Sequence, residues 1–151
     1  MKHVIVSGAF DNIRSRDLRF LEEAAKLGEL TVLLWPDALF EKLTGKKPQF
    51  PLVERLYFLN ALRHVSRVIE AGAEADVNAL PKNLHIDIWA DVESPFNAAH
   101  EEFARSHKLE YRVFKDSKLS GFPELPPLPT MAGRKKIVVT EIGRASCRER
   151  V

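Results

Sequence analysis

The sequence predicts an α/β fold, a doubly wound parallel sheet of five strands with helices packed on both faces. Three observations carry that expectation. Strand-like stretches rich in β-branched and aromatic residues recur at residues 4–7, 30–35, 65–70, 84–90 and 111–114, and 30–35 is a nearly continuous apolar run. Such runs suit parallel strands covered on both faces. Between most of them lie stretches with apolar residues three and four apart, the spacing of amphipathic helices. Finally, the first run stops at Gly8, turns through a polar loop and enters a helical stripe. In open parallel sheets, ligands sit at the carboxyl ends of strands in such strand–loop–helix units.

Taken in order, residues 4–7 form the first strand. Leu18, Leu21, Ala24, Ala25 and Leu27 then mark a helical stripe, with Gly28 placed to close the helix. The second strand, residues 30–35, is broken by Pro36-Asp37. A short helix over 38–43 follows, then the basic loop Thr44-Gly45-Lys46-Lys47-Pro48. Pro51 opens a helix carrying Leu52, Leu56, Leu59 and Leu62, as proline favours a first helical turn. The third strand spans 65–70, a short helix 73–80 and the fourth strand 84–90. Phe96, Ala99 and Phe103, flanked by Glu101, Glu102 and Arg105, make another amphipathic helix before the fifth strand. Alternating strands and helices imply right-handed crossovers between parallel neighbours.

The texture changes after residue 116. Residues 1–116 read as one domain and 117–134 as an extended linker containing Pro123, Pro126, Pro127 and Pro129. Residues 135–140, Lys-Lys-Ile-Val-Val-Thr, repeat the pattern of Lys2-His3-Val4-Ile5-Val6-Ser7. Two readings stand open: the first strand of a second, truncated domain, or a sixth strand of the first. Residues 141–151 match what a common sequencing adapter encodes in frame, and they are set aside from fold reasoning.

Composition bounds the function class. Of 151 residues, 45% are hydrophobic and 29% charged, with a net charge of +2, which gives no strong attraction to nucleic acid or membrane surfaces. No apolar run approaches the roughly 20 residues that span a bilayer. The opening Met1-Lys2-His3-Val4 runs directly into a strand, so a cytoplasmic protein without a signal peptide is expected. The one cysteine, Cys147, lies in the tail that is set aside. His3, His64, His85, His100 and His107 show no metal-ligand spacing and read as surface or partly packed residues.

Chemistry concentrates in the first loop. Gly8 lets backbone approach a ligand closely, and the following helix start offers N–H groups to anions. Gly8-x-Phe10-Asp11, followed by Leu18-x-Phe20-Leu21, resembles the opening of the cytidylyltransferase-like nucleotidyltransferases. That family reads G-x-F-D-x-x-H-x-G-H. Arg14 stands in place of its first histidine, Arg16 in place of its glycine and Asp17 in place of its second histidine. Pro51-Leu52-Val53-Glu54-Arg55 resembles the family's P-x-x-E-R helix start.

The resemblance implies a Rossmann-like, nucleotidyltransferase-type sheet. It also implies a reaction joining a nucleoside triphosphate, with Mg2+, to a phosphorylated small molecule, releasing pyrophosphate. Gly8, Ala9, Phe10 and Asp11 would form the nucleotide loop. Arg14 would supply cationic donors to phosphate, whereas Asp17, an acceptor when ionised, suits the helix dipole instead. Arg16 would fill space that the family leaves open, or bind an anion with Arg14. Asp37 corresponds to an acid near the nucleotide, or to a plain turn residue. Lys46, or Lys47, would reach phosphates, and Arg55 would touch phosphate or pair with an acid. The family's serine/threonine-rich triphosphate motif has no match at Ser117-Lys118-Leu119-Ser120-Gly121.

No residue is therefore assigned to catalysis or to a protein-held metal. The first functional reading is a degenerate copy, a pseudoenzyme partnering an active second domain or a second copy in a homodimer. Two others stand beside it: an active transferase coupling CTP or ATP to a phosphorylated small molecule through relocated contacts, and a non-enzymatic nucleotide or anion sensor. None of the three involves nucleic acid or membrane.

Overall fold

Six residues of alternating facing open the chain, and both faces are covered. In β1 (His3–Gly8), Val4 and Val6 point into one apolar cluster and Ile5 into another, all three at most 1% exposed. A computed structural model describes residues 1–72, 84–95, 97–125 and 138–139. The elements after β1 are α1 (Ser15–Ala25), β2 (Glu29–Leu34), α2 (Asp37–Thr44), α3 (Leu52–Asn60), β3 (Arg67–Glu70), β4 (Ile88–Val92), α4 (Asn97–Ser106), β5 (Glu110–Phe114) and α5 (Asp116–Leu119).

The expected five-stranded parallel sheet is present, in the order β3-β2-β1-β4-β5. All four pairings are parallel, with Val4 opposite Leu30 on one side and Ile88 on the other. The chain winds outward from β1 through β2 to β3, then resumes on the opposite flank with β4 and β5. The switch point therefore lies between β1 and β4, where doubly wound sheets open a crevice at their carboxyl ends. One face packs Phe20, Leu21 and Ala24 of α1, Leu59 of α3 and Leu119 of α5 against Val4, Val6, Val32 and Ala90. The other packs Leu39 of α2 and Ala104 of α4 against Ile5, Leu33 and Trp89.

Several boundaries differ from expectation. α1 ends at Ala25 with Lys26 as its cap, so Gly28 does not close the helix. A Cβ on Gly28 would lie 2.1 Å from the Lys2 carbonyl oxygen, which accepts the Glu29 N–H at 2.9 Å. The glycine is needed for close approach of two backbones. The fourth strand begins at Ile88 and not at residue 84, and it continues through the polar Asp91. The preceding Leu84 and Ile86 pack into the second cluster without joining the ladder.

The segment read as linker carries α5, whose Leu119 is 3% exposed in the first cluster. Leu119 packs the turn into the cluster that α1 also lines. Val138 and Val139, read as part of a restarted strand, are exposed and in no strand. The expected helix over 73–80, Phe96, residues 126–134 of the proline-rich segment, residues 135–137 and 140 of the expected strand, and the tail at 141–151 lie outside the described residues. Among the described residues no helix is long and apolar enough to cross a membrane.

The fold carries a pH dependence. Burial lowers the His64 pKa from its ordinary 6.5, aided by the charge of Arg63. Glu23 is held below 4.5, chiefly by hydrogen bonding from Lys26 and then from Arg19. Asp87 is lowered chiefly by the His3 N–H, and Glu110 chiefly by Lys2 and then Arg112. Depressed folded pKa values contribute stability above the unfolded values, and that stability is lost as pH falls through the folded ones. The denaturation midpoint should be flat at neutral pH, begin to fall below about pH 6.5 through His64 and fall further below about pH 4.5 through the carboxylates. Urea titrations across that range check it, and a His64→Ala variant should lose only the upper limb.

Candidate functional site at the carboxyl end of the sheet

The loop leaving β1 turns sharply. Phe10 adopts φ 46°, in the left-handed region, and folds its ring back over Gly8. A Cβ at Gly8 would lie 3.1 Å from that ring, which accounts for the glycine. The turn then presents Asp11 to the loop before α3. Its Oδ2 accepts the Gln49 N–H at 2.7 Å and its Oδ1 accepts the Phe50 N–H at 2.9 Å. Both carboxylate oxygens are thus engaged in positioning backbone.

Arg55 completes the junction from the first turns of α3. It is 2% exposed, a burial that a guanidinium tolerates only when its donors are met. Nη1 donates to the Ala9 carbonyl at 2.6 Å and to the Trp35 carbonyl at 2.9 Å, and Nε donates to the Phe50 carbonyl at 3.0 Å. Nη2 donates to Asp37 Oδ1 at 2.5 Å, which also neutralises the charge. Of the two roles open to Arg55, pairing with an acid is the one observed. Asp37, at the start of α2, is that acid. Gly8, Ala9, Phe10, Asp11, Asp37 and Arg55 are therefore brought together, as a hydrogen-bonded junction of three chain segments.

The remaining candidates sit around it. Arg14 is the exposed N-cap of α1, and its backbone N–H donates to Asp17 Oδ2 at 2.8 Å. Asp17 thus caps the helix, in keeping with the favourable position of a carboxylate in a first turn. Arg16 donates from Nε to Asp116 Oδ1 at 3.0 Å, which ties α1 to α5 and turns the guanidinium toward an acid. Lys46 is exposed in the loop after α2, where Gly45 at φ 69° ends the helix. Its backbone N–H donates to Thr44 Oγ1 at 3.3 Å. None of the three lines the cleft beside the junction.

A cleft of about 250 Å³ opens beside the junction, lined by Phe10, Asp11, Asn12, Ile13, Phe50, Glu54, Arg55 and Phe58. Phe50, Glu54 and Phe58 were not among the residues the sequence proposed for the site. Phe58 is 55% exposed.

A second polar cluster was also missed. His100 of α4, read as surface or partly packed, is 4% exposed, and its Nδ1 contacts Asp91 Oδ2 of β4. The Tyr111 hydroxyl donates to the same oxygen at 3.1 Å and accepts from Asn97 Nδ2 at 3.0 Å. Burial, foremost, raises the Tyr111 pKa well above its ordinary 10.0, so the phenol remains a donor. The signal was an acid inside an apolar strand run, with a histidine nine residues later. Among the described residues, no group of three or more histidine, cysteine or carboxylate side chains is arranged to hold a metal.

A profile described as cytidylyltransferase-like matches residues 5–142. The chain is 30% identical over 108 residues to the FAD synthase of Thermococcus sibiricus, covering 69% of this chain and 73% of that one. It is 33% identical over 119 residues to the FAD synthase of Archaeoglobus profundus, covering 76% and 74%. With the Ferroglobus placidus FAD synthase it shares 38% identity over 92 residues, spanning only 58% of that relative. Among solved structures, the lipopolysaccharide core biosynthesis protein of Thermoplasma volcanium GSS1 superposes with a TM-score of 0.61 at 23% identity. That match covers 76% of this chain and 95% of the other, a likeness of fold.

Proposed function

The chain belongs to the cytidylyltransferase-like family, and from that premise we propose that it is a nucleotidyltransferase-type domain that keeps the family's crevice and has lost its transfer chemistry. The observation that carries the reading is the start of α1. Where the family has its second histidine, Asp17 spends carboxylate oxygen Oδ2 on the Arg14 N–H. Phosphoryl and nucleotidyl transfer depend on placed positive charge and donors around the phosphates. Here a carboxyl side chain stands at that corner, and Arg16 is paired with Asp116. The three FAD synthase relatives support FAD synthesis as the kind of activity this domain has lost. In this chain the domain acts as the silent companion of an active copy.

The nucleotide, where bound, brings Mg2+ with its triphosphate, and the backbone N–H groups at the α1 start face that end of the sheet. Calorimetry of the full chain with ATP or CTP and Mg2+ should show affinity weaker than micromolar. A pyrophosphate-release assay with ATP or CTP and FMN should stay at background. Micromolar affinity or release above background would overturn the silent reading. Arg14, exposed at the α1 N-cap, favours a second reading in which phosphate contacts have moved to it. Under that reading turnover is present, and Arg14→Ala abolishes it.

A further inference from the structure

We infer that a groove along the outer flank of α1 is a site for a small amphipathic carboxylate, an apolar chain of about ten carbons or fewer ending in one anionic group. The groove shares no lining residue with the cleft beside Phe10. It encloses about 290 Å³ between α1, the turn after α3 and the chain that follows α5. Leu18, Leu21, Leu62, Phe122, Pro123 and Leu125 supply its apolar walls. Three of these stand open to solvent, Leu18 at 41%, Phe122 at 83% and Leu125 at 78%. An apolar chain laid between them takes that surface out of water. A methylene fills roughly the 30 Å³ of a water in the liquid, so the volume limits the chain to about ten carbons.

The charges along the groove are matched except at one end. Arg19 and Glu22 line it, and Arg19 donates to Glu22 at 2.5 Å and to Glu23 at 3.0 Å. Lys26 also donates to Glu23, so the two cations and two carboxylates of this cluster cancel. Arg63 differs. It is exposed, its Nε donates to His64 Nε2 at 3.1 Å, and its Nη1 and Nη2 have no hydrogen bond or ion pair among the described residues. His64 answers with a lone pair and not with a charge, since burial lowers its pKa below the ordinary 6.5. The guanidinium therefore keeps its positive charge and a planar pair of donors, the arrangement that holds a carboxylate through two hydrogen bonds. Arg63 and His64 also line an adjoining hollow with Lys2 and Lys26. The head group thus sits where the apolar walls give way to polar ones. A neutral chain would leave the Arg63 donors to water, and a dianion would carry a charge that no described wall residue matches.

The test titrates octanoate into the full chain by calorimetry, with 1-octanol as the same chain without the charge. Saturable one-to-one binding of octanoate is expected, with 1-octanol about tenfold weaker, the order expected for hydrogen bonding to a charged group. Hexanoate should bind more weakly than octanoate by about fourfold for each methylene removed. Arg63→Gln, at an exposed position, should bring octanoate down to the level of 1-octanol. Leu18→Ser should weaken both chains alike and preserve their ratio. Absence of saturable heat, equal affinity for hexanoate and octanoate, an octanoate preference that survives Arg63→Gln, or binding untouched by Leu18→Ser would each overturn the inference. A groove filled by a second copy or by later residues of the chain gives the first of these results. The chain-length comparison needs no variant and so stands whatever the folding of either substitution.

Discussion

Arg55→Ala is expected to cost about 3 kcal/mol of folding stability, chiefly from buried carbonyls left without donors, since Asp37 itself is half-exposed and its charge stays solvated. The loss shows as a lowered urea midpoint and a collapsed thermal transition. Truncation deserts three carbonyls, those of Ala9, Trp35 and Phe50, and removes the counter-charge from Asp37. Buried acceptors left without donors carry most of the cost, since their desolvation is no longer compensated. Arg55→Lys should recover little. A single ammonium cannot reach, from one position, acceptors that a planar guanidinium meets from three nitrogens. A phosphate-contact role would predict the reverse, an intact fold with weakened anion binding. A variant that melts like the parent would therefore return Arg55 to the ligand.

Gly28→Ala is the second large effect, about 2–3 kcal/mol, at the upper end for forcing an extra carbon into packed structure. The added Cβ would stand 2.1 Å from the Lys2 carbonyl oxygen. That neighbour is backbone, and it accepts the Glu29 N–H just ahead of the β1–β2 ladder. No rotamer change can relieve the contact; either the chain before β1 or the start of β2 has to move. Gly45→Ala provides the comparison. At φ 69° with nothing near its missing Cβ, it should cost only about 1 kcal/mol, the strain of a left-handed residue. Equal losses at the two sites would show that the contact with Lys2 carries no cost of its own.

The two effects separate what local pattern can express from what it cannot. Val4 and Val6 against Ile5, and Val32 and Leu34 against Leu33, alternate between two clusters, and that alternation is written in runs of consecutive apolar residues. The helices were legible for the same reason: Leu21 and Ala24 recur at helical spacing and both are buried. Gly28 was noticed, but its place at the end of a stripe suggested a cap. Its neighbour Lys2 is far away in sequence, and nothing local pointed to it.

The site divides in the same way. Gly8, Phe10 and Asp11 were legible because they are contiguous and follow a strand. Arg55 was noticed, yet its partners lie 46 residues away at Ala9 and 18 at Asp37, and two roles stayed open until the sheet order brought these ends together. His100 was read as a surface or partly packed residue of an amphipathic helix. It is buried because α4 presents it to Asp91 of β4. Arg16 was read as filling space or binding an anion, and its partner Asp116 lies 100 residues on.

By itself, then, the sequence determined the α/β class, the five parallel strands, the first loop and the family frame around it. These depend on period and on short contiguous motifs, which local sterics and apolar burial translate directly into structure. The tertiary structure alone decided which polar groups meet: Arg55 with Asp37, Arg16 with Asp116, His100 with Asp91, and Gly28 beneath Lys2. Hydrophobic burial is non-directional and tolerates any register that covers an apolar face. A buried charge or a backbone contact is satisfied by one partner at one distance, and only the folded chain supplies it.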